Sequence, residues 1–363
     1  MKSTSLRSYF TYYCEVLLKQ SEVCFASEVL LRKRKRTFCA VKKHARVLEN
    51  LEMRKTKMKI IAIVGPTAVG KTALALKLAK ELDGEIISCD SMQIYKGMDI
   101  GTAKPTKEEM ATVPHHLIDI KEPNEEFSCA DYAAMAKECI EDIISRGKTP
   151  IFCGGTGLYL DSVIEIGSFS SGFKDESYRA QLEALALEKG NKYVHNMLKE
   201  IDSQSAEEIH PNNLKRVIRA LEIYHCTGVT KTEWDKKSKE QKPPYDATVL
   251  FLTCRDREIL KKRIDLRVDM MLAEGLLDEA MTLYKNGMLK EEYTSYGAIG
   301  YKELIPFFKN LAPFDECVER LKISTRQYAK RQLTWFSKKE NYHTVYVDEV
   351  SPYNEAMKIL GKA

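Results

Sequence analysis

The stretch KIIAIVGPTAVGKTALALKLAKEL, residues 59–82, decides the fold. Lys59–Val64 is a short apolar run suited to a buried strand, and Lys71–Leu82 carries a helical apolar period. Between them Gly65, Gly70, Lys71 and Thr72 match G-x-x-x-x-G-K-[ST], a loop whose backbone amides cradle phosphate. The motif sits in the setting it requires, with a strand before it and a helix after it. Gly65, Pro66, Thr67, Ala68, Val69, Gly70, Lys71 and Thr72 therefore form the candidate diphosphate cradle. The positive helix end and the amides attract anionic oxygens, Lys71 adds a charge, and the Thr72 hydroxyl is the candidate Mg²⁺ ligand. This identifies an anion but not a reaction.

Working outward, EIISCD (85–90) is a second short strand ending in Asp90, followed by a loop-like stretch with glycines and prolines over 91–126. Ser128 caps a predicted helix whose apolar positions include Tyr132, Ala136, Ile140 and Ile143. Gly147 ends it, and TPIFC (149–153) is the next strand. A phosphate-transferring enzyme usually carries a metal-holding acid at such a strand end. Here the strand runs instead into Gly154-Gly155-Thr156-Gly157, and the strand-end acid is Asp90.

ATVLFLTC (247–254) and HTVYVD (343–348) resume the strand pattern. Alternating strands and helices predict an α/β fold, a parallel sheet with helices on both faces. Residues 171–245 lack strand signals and lie between the turn-rich GSFSSGF and KPPY, so an all-helical insertion is expected there. It would interrupt a core of 58–170 and 246–363.

Composition narrows the classes. Apolar residues make up 44% and charged residues 30% of 363, an ordinary globular balance. No apolar run approaches the ~18 residues of a membrane span. The ten cysteines stand singly, without a C-x-x-C pair, which suits reduced thiols rather than disulfides or a zinc module. Net charge is +5, but residues 1–57 hold 14 basic against 5 acidic side chains and the rest 43 against 47. A case for nucleic acid must rest on local clusters. Residues 1–57, with RKRKR at 32–36, are expected to be an extension on which little of the function depends.

The segments GPTAVGKT, ISCDSMQIYKGMDIGTAKP, PHHLID, GGTGLYL, HPNNLKRVIRALEI and RQYAKRQLTWF occur in this order. In this the chain resembles the tRNA dimethylallyltransferases, over roughly 58–350. The resemblance implies a P-loop kinase-like core that binds dimethylallyl diphosphate in place of a nucleoside triphosphate. It further implies transfer of the prenyl group to N6 of the adenosine 3′ of the anticodon, at tRNA position 37. It implies too a cytoplasmic enzyme of the compact bacterial form, with tRNA and the prenyl diphosphate as partners, and a monomer is expected.

On that likeness Asp90 is the candidate base. Thr156 matches a threonine close to the reacting groups, and Arg263 aligns with a diphosphate-contacting arginine. Arg267, four residues on, shares its helix face. Asp90, Ser91, Met92 and Gln93 match the segment that reads the target base. For tRNA contacts, the resemblance points to Arg179, to Lys215, Arg216, Val217, Ile218 and Arg219, and to Gly297, Ala298, Ile299, Gly300, Tyr301 and Lys302. Leu214, Val217, Ile218 and Leu221 form the stripe by which the insertion helix would dock on the core. Gly297 stands where some relatives carry arginine. The cluster Arg326, Lys330 and Arg331 is either a further RNA contact or an ordinary amphipathic helix. His115, His116 and Asp119 are expected to be structural, and Trp335 and Phe336 to pack. From the residues alone, a small-molecule P-loop kinase and a non-catalytic RNA-binding protein remain alternatives.

Overall fold

The P-loop strand is the hub of the sheet. In a computed structural model that describes residues 58–165, 174–240 and 244–362, β1 (Met58–Val64) pairs in parallel with β4 (Thr149–Gly154) on one side and β5 (Tyr245–Thr253) on the other. β2 (Gly84–Ser88) and β3 (His115–His116) extend the sheet beyond β4, and β6 (His343–Tyr346) extends it beyond β5. The order is β3-β2-β4-β1-β5-β6, parallel throughout. Ile60 to Val64 are all buried, on alternating sides, so both faces of the sheet are covered. The predicted α/β class is observed.

α1 (Lys71–Glu81) turns Leu74, Ala75, Leu78 and Ala79 inward, which is the spacing of one helix face. α3 (Cys129–Ser145) begins at Ser128 with a reciprocal capping box to Asp131, and it buries Tyr132, Ala136, Ile140 and Ile143 as predicted. The stretch 91–126 is less loop-like than expected. It holds α2 (Lys107–Thr112), nucleated by a Thr106/Glu109 capping box, and the edge strand β3. The signal T-K-E-E was present in the sequence but sits among prolines and glycines.

After β4 comes α4 (Gly157–Ile164). Residues 174–240 form α5 (Glu176–Lys189), α6 (Asn191–Ile201), α7 (Ser203–Glu208), α8 (Leu214–Thr227) and α9 (Lys231–Lys239). Leu182, Val194, Leu198, Val217, Ile218 and Leu221 close a second apolar cluster built from these helices. The stripe on α8 therefore packs on its neighbouring helices rather than on the sheet core, as expected earlier. Lacking a strand to lean on, each short helix buries its stripe against the next.

The chain then passes through β5 to α10 (Arg257–Ala273), α11 (Leu276–Lys285), a 3₁₀ turn (Thr294–Gly297), α12 (Ile305–Phe308), α13 (Phe314–Phe336), β6 and α14 (Pro352–Ile359). Residues 1–57 and the proposed boundary near 170 lie outside the described residues.

At the carboxyl edge of the sheet the backbone is too crowded for side chains. A Cβ on Gly154 would meet the Cys89 carbonyl oxygen at 2.1 Å, and one on Gly65 would meet the Leu252 oxygen at 2.2 Å. Gly154→Ala is expected to cost about 1–3 kcal/mol through forced overpacking, read from the midpoint of urea unfolding. Gly297→Ala, with nothing within 4 Å of its added methyl, should shift the same midpoint by no more than about 0.5 kcal/mol.

Candidate active site

The loops after β1, β2 and β4 converge where the strand order reverses, the place where open α/β sheets bind ligands. There they enclose a cavity of about 470 Å³. Thr67, Ala68, Gly70, Lys71 and Thr72 line it from the P-loop, and Asp90 to Gln93 from the end of β2. Arg267, Val268 and Met271 line it from α10, Tyr328, Arg331 and Gln332 from α13. Gly297 to Gly300 and Lys302 complete the wall. Gly65, Pro66 and Val69 are buried beneath. Ala68 takes a left-handed backbone with φ 66°, a strain that proteins concentrate at ligand clamps.

Three charges dominate. Burial drives the Lys71 ammonium down to about 8, and its Nζ donates to the Pro66 carbonyl at 2.7 Å. Burial likewise lowers Arg267, and its Nε is a buried donor with no partner. Burial raises Asp90, against the pull of the Met92 amide, which donates to Oδ1 at 2.9 Å, and of Lys71 and Arg267. Two desolvated cations with an orphaned donor form a site short of an anion.

Around them the loops are pinned. Thr156 Oγ1 accepts from the Ser91 amide at 3.0 Å, so Thr156 fixes the turn that carries Asp90 without itself lining the cavity. Gln332 Oε1 accepts from the Thr67 amide at 3.0 Å, while its Nε2 donates to the Gly155 carbonyl at 3.0 Å. It thereby staples the P-loop to the glycine-rich turn after β4. Gln93 Oε1 accepts from Ser88, and its Nε2 donates to the Thr102 and Ala103 carbonyls. The amide proposed to read a base edge is thus engaged within the wall. His115 donates from Nδ1 to the Val113 carbonyl at 2.7 Å, and its neighbour His116 pairs with Glu85 at 2.8 Å.

Other predicted residues lie elsewhere. Arg263 Nη1 is 4.0 Å from the Cys254 thiol and is not part of the cavity lining. Arg179 grips the buried Glu222 through Nε and Nη2 at 2.7 and 2.8 Å, and Arg219 joins the same carboxylate. Val217 and Ile218 are buried in the helical cluster, so their side chains serve packing, and Tyr301 is buried with its hydroxyl donating to Glu279. Lys215 and Arg216 are exposed. Arg326 pairs with Asp265 at 3.0 Å, Phe336 is buried, and the Trp335 indole donates to Asp161 at 3.1 Å. Tyr328 and Gln332 were missed, although both stand inside a quoted motif. They were overshadowed by the cations around them.

The oxygen donors lining the cavity near the P-loop include the Thr67, Thr72 and Ser91 hydroxyls and the Asp90 carboxylate. Among the described residues no group of three or more His, Cys, Asp or Glu gathers. So sparse a set fits Mg²⁺, which keeps several waters and leans on a ligand's phosphate oxygens.

A family model described as IPP transferase matches residues 93–339. The chain belongs to the IPP transferase family. It is 49% identical over 301 residues to the tRNA dimethylallyltransferase of Geobacillus thermodenitrificans, covering 83% of this chain and 94% of that relative. Identity to the Bacillus cereus tRNA dimethylallyltransferase is 52% over 281 residues, covering 77% and 87%. Among solved structures, the tRNA isopentenylpyrophosphate transferase of Bacillus halodurans superposes with a TM-score of 0.62 at 46% identity, covering 84% of this chain and 97% of that one. A eukaryotic dimethylallyltransferase acting on tRNA superposes at 0.74 with 32% identity, covering 84% and 79%.

The Lys71 environment sets a pH signature for anion binding. Below about pH 8 the ammonium is already charged, so affinity for sulfate, an anion that does not itself titrate in this range, should be flat. Above it, binding must take up a proton and affinity should fall, by at most about tenfold per pH unit. Calorimetry in buffers of different ionisation enthalpy should detect that proton at pH 9 and not at pH 7. Lys71→Met should abolish the difference.

Proposed function

We propose that the protein transfers a dimethylallyl group from dimethylallyl diphosphate to N6 of the adenosine at position 37 of tRNA, releasing diphosphate. One observation carries this reading. A half-buried carboxylate, Asp90, shares a cavity with two desolvated cations, Lys71 and Arg267, and the Arg267 Nε there is a buried donor with no hydrogen-bond partner. The family membership supplies the substrate class.

The chemistry follows from the charges. The N6 lone pair attacks the allylic carbon while the C–O bond breaks, and its electron pair leaves on the diphosphate. Negative charge thus builds where the P-loop amides, Lys71 and Arg267 already point, so these groups bind the transition state more tightly than the ground state. On this reading the arginine at the diphosphate is Arg267, the one facing the cavity. The N6 proton passes to Asp90, which burial has made more basic. Thr156 holds the Asp90 turn through the Ser91 amide, and Tyr328 lines the cavity from α13. Mg²⁺, held by Thr72 and the diphosphate oxygens, would supply further positive charge to the leaving group. The apolar part of the lining, Val268, Met271 and Leu321, suits a five-carbon tail.

A base stacked within an anticodon loop must be turned out to reach this cavity. Residues 171–245 are the proposed grip on the stem, through exposed Lys215 and Arg216. Such contacts position RNA without reading sequence. Arg179 and Arg219 act there by holding the helices together through Glu222. We further propose that the enzyme is a cytoplasmic monomer.

The direct test incubates the protein with undermodified tRNA, Mg²⁺ and dimethylallyl diphosphate, then digests the RNA. A mass gain of one five-carbon group on adenosine is expected; transfer of a terminal phosphoryl from ATP without RNA alkylation would overturn the reading. Asp90→Ala should lower turnover at least about a hundredfold while RNA binding persists. Lys215→Ala with Arg216→Ala should weaken binding to all substrate tRNAs alike and reduce the salt slope by about 2.

A further inference from the structure

Glu279, on α11, is a carboxylate that neither the P-loop chemistry nor the helical cluster uses. Its two oxygens accept from three successive backbone amides: Asp99 at 3.0 Å, Ile100 at 2.9 and 3.1 Å, and Gly101 at 3.1 Å. Oε1 also accepts from the Tyr301 hydroxyl at 2.7 Å. Three consecutive N–H groups converging on one point form an anion nest, and here the anion belongs to the protein.

The nest joins two separate walls of the cavity. Gly101, Thr102, Ala103 and Pro105 line it just beyond the first loop, and Tyr301 belongs to the segment whose neighbours Gly297 to Gly300 and Lys302 line it from across. The two walls also touch directly. A Cβ on Gly101 would fall 2.5 Å from the Tyr301 ring, and Gly300 packs its backbone on Gly101. Lys104 closes the other side of the same loop, with Nζ donating to the Tyr95 carbonyl at 2.6 Å and to Asp99 Oδ1 at 2.7 Å. Little of this chain segment is held by regular secondary structure. Its shape therefore depends on these few charged anchors.

We infer that Glu279 is a positioning residue for the acceptor side of the cavity, fixing the 99–105 loop against the 297–302 wall so that together they present the surface on which the RNA base and its neighbours are received. The inference rests on the proposed prenyl transfer to RNA. The choice of substrate follows from charge. The fixed cations that suit diphosphate, Lys71 and Arg267, come from α1 and α10, whereas the clamped walls offer Gly, Thr, Ala, Pro and Ile with backbone groups and one lysine. Such a surface discriminates by shape and hydrogen bonds rather than by charge. The clamp also ties this wall to the α10–α11 pair that carries Arg267, so donor and acceptor sides share one rigid support.

Glu279→Gln keeps the size but sets an NH₂ group against donors, so the nest loses at least one acceptor. In the wild-type protein, steady-state kinetics are measured first against undermodified tRNA and dimethylallyl diphosphate. Failure of the wild type to alkylate RNA sinks the proposed function itself. With an active wild type, Glu279→Gln should raise KM for tRNA at least tenfold and leave KM for dimethylallyl diphosphate within twofold. Tyr301→Phe, which removes a single bond to the same carboxylate, should raise KM for tRNA by a smaller factor in the same direction. Thermal unfolding of each variant reports folding separately. An unchanged tRNA KM in both variants, or a rise confined to the prenyl donor, would overturn the assignment. If Glu279→Gln does not fold, the Tyr301→Phe kinetics alone decide, by the same two outcomes.

Discussion

Everything at this site depends on glycines that let the backbone come closer to neighbouring backbone and side chains than a Cβ would allow. Gly65 lies on the Leu252 carbonyl, Gly154 on the Cys89 carbonyl, Gly155 against the Gln332 amide and Gly157 against the Trp335 ring. Each approach is shorter than a Cβ would permit. The result is that the P-loop, the Asp90 turn and α13 face one small volume. The Gly154 approach seats the end of β4 against Cys89, next to Asp90, and the Gly65 approach seats the start of the P-loop against β5. The glycine-rich turn after β4, which carries no acid, is therefore not a degraded metal site. It is the packing element that lets Gln332 bind the P-loop on one side and the glycine turn on the other.

The electrostatics follow from that crowding. Water is displaced from Lys71, Arg267 and Asp90 together, so the charged form of each is disfavoured, and only their mutual attraction and a few backbone amides offset the loss. Four cations (Lys71, Arg267, Lys302 and Arg331) against two carboxylates (Asp90 and Glu109) around the cavity leave an excess of positive charge that an anionic ligand completes. An arrangement satisfied in the empty protein would be more stable but would have less to gain from binding.

How much of this was legible in the sequence depended on whether the signal was local. The strand–loop–helix at 59–82 and the Ser128-capped helix are set by neighbours within a few residues, and both formed where the pattern put them. Asp90 was legible as a strand-end acid because strand ends are marked by a change in composition. The choice between Arg263 and Arg267 was not. They share a helix face and differ by about 6 Å along the axis, and only the tertiary placement of α10 decides which one enters the cavity. Gln332 and Glu279 were invisible for the same reason, as their partners lie 265 and about 180 residues away. The Thr106 capping box was local and readable, and it was hidden only by the glycines and prolines around it.

Counting basic residues along a helix overstates what is available to RNA, and the structure shows why. Glu222 is buried at the centre of the helical cluster and engages both Arg179 and Arg219, and it also accepts from the Asp175 amide at the start of α5. A buried carboxylate left without those cations would be costly, so the two arginines cannot leave it for a phosphate without weakening the cluster that displays Lys215 and Arg216. Glu279 does the corresponding work on the cavity wall with backbone amides in place of arginines. In both places an internal acid orders a surface whose exposed groups remain free to meet a ligand. Affinity for RNA would then reside in a few uncommitted cations on a preorganised scaffold rather than in the total positive charge.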